Sequence, residues 1–448
     1  MIESSRKRPS LDIPWGSDQT IAVAWPEVWN EPDVFGPDLR GGVPHYVNAL
    51  NAALDDLAGS PSLKELIGPG ATVAIVVDDP SRWTPVSEAL PMVLGRLKEA
   101  GVRRDDISIS VGVGRHLALD DRSMRRRLGD PIVDSYPCHS PPVDELGAYH
   151  DLGTTVDGVR TLVFRPVATA SLRILIGSVL PHLQAGFGGG WKLIFPGCSH
   201  RSTLVALHGQ GLGKGRDAGR LLGGDARDNP MRRTIRNAAS LLPGQSLSIS
   251  HLMGEPGKVL RVVAGHPDAV QDLLALEARQ RFQAPVGPPV DLVVAGNHPW
   301  PGDPMQSFKV LLQHQNAVRK GGALVGFFWT DPNEIERSMP LSWVKVIAAT
   351  GAPGHQVIRH GLKAADLIAD GLGLRSAFMV RWARELVVDR RVFVYAPELC
   401  RRIGSRLGPV RLFDEQGPLW TAVADNFPKG TMPVARVFPR GGLTYCPK

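Results

Sequence analysis

Cysteine is scarce in this chain and scattered. Four occur in 448 residues, at Cys138, Cys198, Cys400 and Cys446, with no C-x-x-C pair. That excludes a disulfide framework and a zinc ribbon, and it predicts a reducing, cytoplasmic setting. No apolar run is long enough for a membrane span. The N-terminus, MIESSRKRPSLDIPW, is basic but lacks the apolar core of a secretory signal. Repeats and low-complexity tracts are absent. Thirteen histidines include no H-E-x-x-H, and no carboxylate accompanies His182 or His208 at ligand spacing, which argues against zinc. The alternating glycines of HGQGLGKGR (His208–Arg216) do not follow a strand, so they are not a dinucleotide fingerprint.

The net charge of +7 is not gathered into a nucleic-acid face with interleaved aromatics. Its clusters are short: Arg125–Arg127, Arg232–Arg233, Arg390–Arg391 and Arg401–Arg402. Most read as solvated helix faces beside acids. A modest positive balance also suits a pocket for an anionic substrate and a phosphorylated cofactor. Hydrophobic content of 43% and charged content of 21% are ordinary for a soluble protein of two or three domains.

From residue 71 strands alternate with helices, which predicts parallel sheets with crossover helices. Ala71–Val77 reads as a buried strand, Val86–Gly101 as a helix closed by glycine, and Ile107–Gly112 as the next strand. A helix then begins near Leu119, with Asp120 and Asp121 in its first turn. Leu172–Leu180 is a third strand. Asp79 and Arg82 follow the first strand, His116 the second and His182 the third. Ligands gather at the carboxyl ends of such strands, so these residues are predicted to share a pocket. Each also has a plainer reading: Asp79 as a helix cap, Arg82 as a surface charge, and a lone histidine as a loop residue.

The stretch from His182 to His208, HLQAGFGGGWKLIFPGCSHRSTLVALH, is the most informative. Four glycines in five positions (Gly186 to Gly190) precede Lys192, and a predicted helix carries His208. Gly188, Gly189 and Gly190 let the backbone approach a ligand and offer N–H groups to anions. A surface loop is one reading. A phosphate-cradling loop fails on spacing, since Trp191 precedes Lys192 and Leu193 follows it where Gly-Lys-[Ser/Thr] is needed. The third reading is a lysine presented for covalent chemistry between two histidines.

Downstream, Asn229 and Pro230 open a helix as N-cap and first helical residue. A strand pair spans Ser246 to Gly265, and a helix covers Asp268–Phe282. Pro285, Pro288 and Pro289 mark a linker. A second α/β unit starts with the Val290–Gly296 strand and a helix from about Pro304. Gln306 and Lys309 lie three apart on one face of its first turns.

Several of these segments resemble the lactate racemases that carry a nickel-pincer nucleotide. The family signature, close to H-x-x-A-G-F-[SG]-G-G-x-K-x-[IVL]-x-P-G with a further His sixteen residues past the Lys, is matched by His182, Ala185, Gly186, Phe187, Gly189, Gly190, Lys192, Pro196, Gly197 and His208. Trp191 stands where the family usually has Arg. The family's D-H-T-R appears as Asp79-Pro80-Ser81-Arg82, and its G-x-H-R as Gly114-Arg115-His116-Leu117. Gln306 and Lys309 match a Gln-x-x-Lys that serves the active site from the second domain.

The resemblance implies an α/β fold of two domains with mainly parallel sheets and an active-site cleft between them. Residues 1–285 would form the N-terminal domain and 286–430 the C-terminal one, with the tail 431–448 returning to the first. It implies an isomerase of a 2-hydroxy acid. Lys192 would carry the nickel-pincer nucleotide, with Asp79, Gly188, Gly189 and Gly190 beside it and His208 on the nickel. His116 and His182 would exchange the hydroxyl proton; Arg82, Lys309 and Gln306 would serve the substrate, Arg82 and Lys309 on its carboxylate. Cofactor-building enzymes are implied as transient partners, and no nucleic acid or membrane. The competing reading is a non-catalytic two-domain binding protein for a small carboxylate.

Overall fold

Along the Val73–Asp78 strand every residue is buried, and successive side chains feed two different cores. Val73, Ile75 and Val77 pack with Val86, Leu90, Val93 and Leu97 of the helix Val86–Glu99. Ala74 and Val76 pack on the other side with Trp191, Leu193, Phe195, Leu207 and Ile235. Alternate residues of a strand point to opposite faces, so a sheet covered on both faces needs a near-continuous apolar run. Burying each Val or Ile side chain is worth roughly 1.5–3 kcal/mol. A slip of one residue would exchange the two cores, which fixes the register.

The structure, a computed structural model, describes residues 11–114, 118–210, 222–224, 228–300, 302, 304–338, 386–387 and 389–448. The chain divides into two units: Asp38–Arg281, and Phe282–Lys448 together with the residues up to Pro37.

In the Asp38–Arg281 unit six strands lie in the order Val259–Gly265, Gln245–Met253, Leu172–Val179, Val73–Asp78, Ile107–Gly112, Cys138–His139. All neighbours are parallel except the first two. From Val73–Asp78 the chain moves outward through Ile107–Gly112 and Cys138–His139. It then returns to the opposite side of Val73–Asp78 with Leu172–Val179. Such a reversal opens a crevice at the carboxyl ends of the two strands it separates. Asp79 and Arg82 follow one of those ends and His182 the other.

The second unit repeats this logic with seven strands, in the order Arg406–Leu407, Val410–Phe413, Arg391–Tyr395, Val318–Phe327, Val290–Gly296, Ala435–Phe438, Asp33–Val34. Only the Arg406–Leu407 and Val410–Phe413 pair is antiparallel. The helix Pro304–His314 leaves the carboxyl end of the Val290–Gly296 strand. No helix among the described residues is long and apolar enough to cross a membrane.

Three expectations about the chain's organisation change. The unit spans Asp38–Arg281 rather than residues 1–285, and the residues up to Pro37 join the other unit. The terminal strand Ala435–Phe438 does not return to the N-terminal unit. It pairs in parallel with Val290–Gly296, Leu292 opposite Ala435 and Ala295 opposite Phe438. Asp33–Val34, at the other end of the chain, adds beyond it. The physical reason is that the Val290–Gly296 strand needs a neighbour on its second edge, and Ala435 and Val437 supply buried side chains there. The third change is local: Asp120 is the N-cap of the helix Asp121–Leu128 and not part of its first turn. Its carboxylate accepts the Ser123 N–H at 2.8 Å.

Candidate active site

The loop after the Leu172–Val179 strand is built by glycines that nothing else can replace. Gly189 has φ +77°, and a Cβ there would lie 2.9 Å from the Ser178 carbonyl oxygen. A Cβ on Gly197 would lie 2.0 Å from the Leu193 carbonyl oxygen. Both the left-handed backbone and the close approach require glycine. Between them a short 3-10 turn, Gly190–Leu193, carries Lys192. Trp191 and Leu193 on either side of it are buried in the sheet's second core, so the lysine projects from a turn anchored at both flanks. Trp191 packs edge-on against His266, with ring centroids 6.4 Å apart.

Arg232 holds the loop from behind. It lies on the helix Pro230–Ala239, whose N-cap Asn229 accepts the Arg232 N–H at 3.0 Å. The Arg232 side chain is 2% exposed. Its guanidinium donates to the carbonyls of Phe187, Gly188 and Gly189. Burial pushes its pKa down to about 10, and the nearby Arg236 adds to this; it remains a cation at neutral pH. Asn229 also donates to the Gln184 carbonyl at 2.8 Å, and the Gln184 side chain donates to the His208 carbonyl at 3.1 Å. One run of hydrogen bonds thus ties the helix cap, the segment after His182 and the helix Arg201–Gln210 that bears His208.

Within this frame His182 and Lys192 touch, Nε2 to Nζ at 3.2 Å. His182 Nδ1 accepts the backbone N–H groups of Gln184 at 3.2 Å and Ala185 at 3.1 Å. His208 is 6% exposed, and its Nδ1 lies 2.8 Å from the Leu204 carbonyl oxygen. That bond puts the proton on Nδ1 and leaves Nε2 as the unprotonated nitrogen of the neutral ring. His314 makes the same bond to Val310 at 2.8 Å in the other unit, so the bond orients the ring without by itself marking a ligand.

At the neighbouring strand end Asp79 is half-buried and its carboxylate accepts the Ser81 N–H at 2.8 Å. The next helix, Val86–Glu99, is capped by Pro85, so Asp79 organises its own loop and is not a helix cap. Arg82 is half-buried too, with a 3.4 Å bond to the Ser81 hydroxyl. His116 lies outside the described residues. Gln306 and Lys309 belong to the other unit, where Lys309 Nζ donates to Gln306 Oε1 at 2.6 Å.

Two residues of this site depart from the reading given to most of the basic clusters. Arg127 and Arg232 both fall in such clusters, most of which read as solvated faces. Yet Arg232 is buried, and the Arg127 side chain is 9% exposed against Asp78. Helical spacing carried the signal: Arg232 stands three before Ile235 and seven before Ala239, and Arg127 three after Met124, all of them buried. Among the described residues no group of three or more His, Cys, Asp or Glu could hold a metal ion.

Residues 26–218 match the family described as the lactate racemase N-terminal domain. A lactate racemase of Thermoanaerobacterium thermosaccharolyticum is 23% identical over 339 residues, 69% of this chain and 78% of that protein. A lactate racemase of Lactiplantibacillus plantarum is 22% identical over 280 residues, 62% of this chain and 64% of that protein. The fold is that of the Thermoanaerobacterium lactate racemase apoprotein: TM-score 0.80 at 17% identity, covering 98% of this chain and 100% of that one. A Thermotoga maritima protein is more distant, with TM-score 0.60 at 16% identity and coverage of 87% and 100%. Residues 26–218 of this chain thus carry the lactate racemase N-terminal domain, and along nearly its whole length the chain has the fold of a lactate racemase apoprotein.

Proposed function

We propose that the chain racemises or epimerises a 2-hydroxy acid with a nickel-pincer nucleotide joined to Lys192. The observation that carries the reading is the half-buried Lys192 amine, held 3.2 Å from His182 on a turn that Arg232 fastens from below. The residues present fit that cofactor. A lysine amine is the nucleophile that a covalent attachment needs. His208 is oriented with one imidazole nitrogen suited to nickel. A Cβ on Gly189 would fill space the loop backbone needs, so the turn stays narrow beside the lysine. The chemistry such a group would supply when bound at Lys192 and His208 is reversible hydride exchange at C2 of the substrate.

The chain's own residues would do the rest. His182 and His116 would hold and move the hydroxyl proton, one for each enantiomer, since imidazole exchanges protons near neutral pH. Arg82 would grip the carboxylate as a fork. The parts given to Gln306 and Lys309 at the same carboxylate belong to this proposal as well. The competing reading, a binding protein without turnover, has no specific observation in its favour. Intact mass of protein made together with the cofactor-building enzymes tests the proposal. An adduct on Lys192 supports it, and none on fully folded protein counts against it.

A further inference from the structure

On the strand Ala435–Phe438, Ala435 and Val437 enter the core of their sheet. Arg436 and Phe438 therefore turn to the opposite face. Phe35, just past the neighbouring strand Asp33–Val34, stacks on Phe438 with ring centroids 5.9 Å apart. The Arg436 guanidinium lies over the Phe35 ring, 5.9 Å from its centroid. Among the described residues the Arg436 side chain has no hydrogen bond and no ion pair, and its Nε is buried. A buried charged donor is costly unless an acceptor meets it. This arginine lines a cavity of about 400 Å³ built wholly by the second unit.

The lining has the chemistry of an anion site. Arg319 and Lys320, at the start of the Val318–Phe327 strand, belong to it. Arg319 pairs with Asp291, and Lys320 lies 3.8 Å from Asp389; both cations stay partly solvated. Arg390 and Lys448 line the cavity too and have partners of their own. No Asp or Glu stands among the described residues of the lining. Cys446 does, yet burial pushes its thiol up to about 12 against the pull of Arg436, so it offers that arginine no anion. Pro285, Val286 and Pro289 form an apolar part of the wall. Gly287 interrupts them where a Cβ would come 3.0 Å from Arg436 Nη2, so the edge of the guanidinium is kept open. A cavity of this size suits a small organic ligand better than a bare ion.

We infer that this cavity is a second ligand site, one that takes a small organic phosphate monoester. Nε and one terminal nitrogen of Arg436 donate to two phosphate oxygens as a fork. Arg319 and Lys320 add positive charge at the rim, and a dianion matches that surplus better than a single carboxylate. The organic part lies against Pro285, Val286 and Pro289. The site is separate from the residues proposed to serve the 2-hydroxy acid. Its lining includes neither Gln306 nor Lys309. Pro289, Val318 and Arg390 stand at the amino ends of three strands, whereas the helix bearing Gln306 and Lys309 leaves a carboxyl end. The inference does not rest on the racemase reading.

Phenyl phosphate is the probe, titrated calorimetrically into the full chain at low ionic strength, where screening is weak. One saturable site is expected, about tenfold tighter than for inorganic phosphate, because the ring buries apolar surface. Benzoate, with the same ring and a single charge, should bind more weakly than phenyl phosphate. Arg436→Met should weaken phenyl phosphate at least about tenfold, and Arg436→Lys should recover only part, since a point charge is not a fork. Gly287→Ala keeps every charge and lies on an exposed segment. It should weaken binding by crowding Nη2, and it keeps the test open if Arg436→Met fails to fold. Arg82→Ala should leave phenyl phosphate binding unchanged, which separates this site from the one around Lys192. Thermal melts give an independent readout: the probe should raise the wild-type midpoint and not that of Arg436→Met. No saturable binding overturns the inference. So does undiminished binding to Arg436→Met or Gly287→Ala, or an equal loss in Arg82→Ala, either of which puts the probe elsewhere. Binding no tighter than that of inorganic phosphate, an adventitious ion only, overturns it as well.

Discussion

The Arg127 guanidinium grips Asp78 twice, through the carboxylate and through the backbone carbonyl at 3.0 Å. It also donates to the carbonyls of Arg82 at 3.3 Å and Thr84 at 3.1 Å. One side chain thus fastens the whole loop that bears Asp79 and Arg82. Burial pushes the Asp78 carboxyl above the ordinary range, while Arg127 and the Thr84 hydroxyl pull it back. Breaking such a pair from one side leaves an uncompensated charge. Arg127→Met is expected to cost ~3–5 kcal/mol of stability, and adding Asp78→Asn should recover part of that. Denaturant unfolding of the two single variants and the double variant checks it. Losses that merely add would show the two residues to be uncoupled.

Lys192→Arg keeps the charge but cannot form an amide-type link. Protein made with the cofactor-building enzymes should show the adduct in wild type and no adduct in the variant, with far-ultraviolet circular dichroism unchanged. Racemisation should vanish with the adduct. A cofactor-bearing arginine variant that turns over substrate would rule out the covalent role.

Acid should weaken both units through one histidine in each. His251 accepts the Tyr46 hydroxyl at 2.8 Å and donates to the Gly177 carbonyl at 3.0 Å. His314 is bonded to Val310 and Thr444. Burial depresses each to about 4. The folded state therefore refuses protons that the unfolded state binds below about 6.5. Stability is full above that value and is lost as pH falls towards 4, by about 2 kcal/mol per histidine at pH 5. Chemical denaturation at pH 7 and pH 5 measures the slope, and His314→Gln should flatten it by about half. A slope unchanged in that variant would place the acid sensitivity elsewhere.

Lys309 donates to Gln306 at 2.6 Å, a fixed pair on the helix Pro304–His314. If the pair grips the substrate carboxylate, Lys309→Ala should raise KM and lower kcat together, because gripping the acid and excluding water go together. Lys309→Arg should rescue only part of the loss. Wild-type constants for Lys309→Ala would remove the second unit from the reaction.

The sequence by itself determined the main elements and where most of the candidate residues stand on them. Val290–Gly296, the cap at Asn229, and the glycine run leading to Lys192 are all local: a near-continuous apolar run, a side chain reaching its own helix start, and backbone that only glycine can follow. These depend on near neighbours in the chain, so they can be read from it. What joins distant segments could not be read. Nothing near residue 435 says that this strand closes the edge beside Val290–Gly296, because either sheet would accept its apolar pattern. Arg127 and Arg232 looked like surface charge because their partners, Asp78 and the Phe187–Gly189 carbonyls, lie about 45 or more residues away in the chain. Burial of a cation is decided by whether acceptors meet it in three dimensions. The same holds for His182. Its place at a strand end was legible, but the two backbone N–H groups that meet its Nδ1, and the Lys192 side chain beside its Nε2, are set by how the loop folds back upon itself.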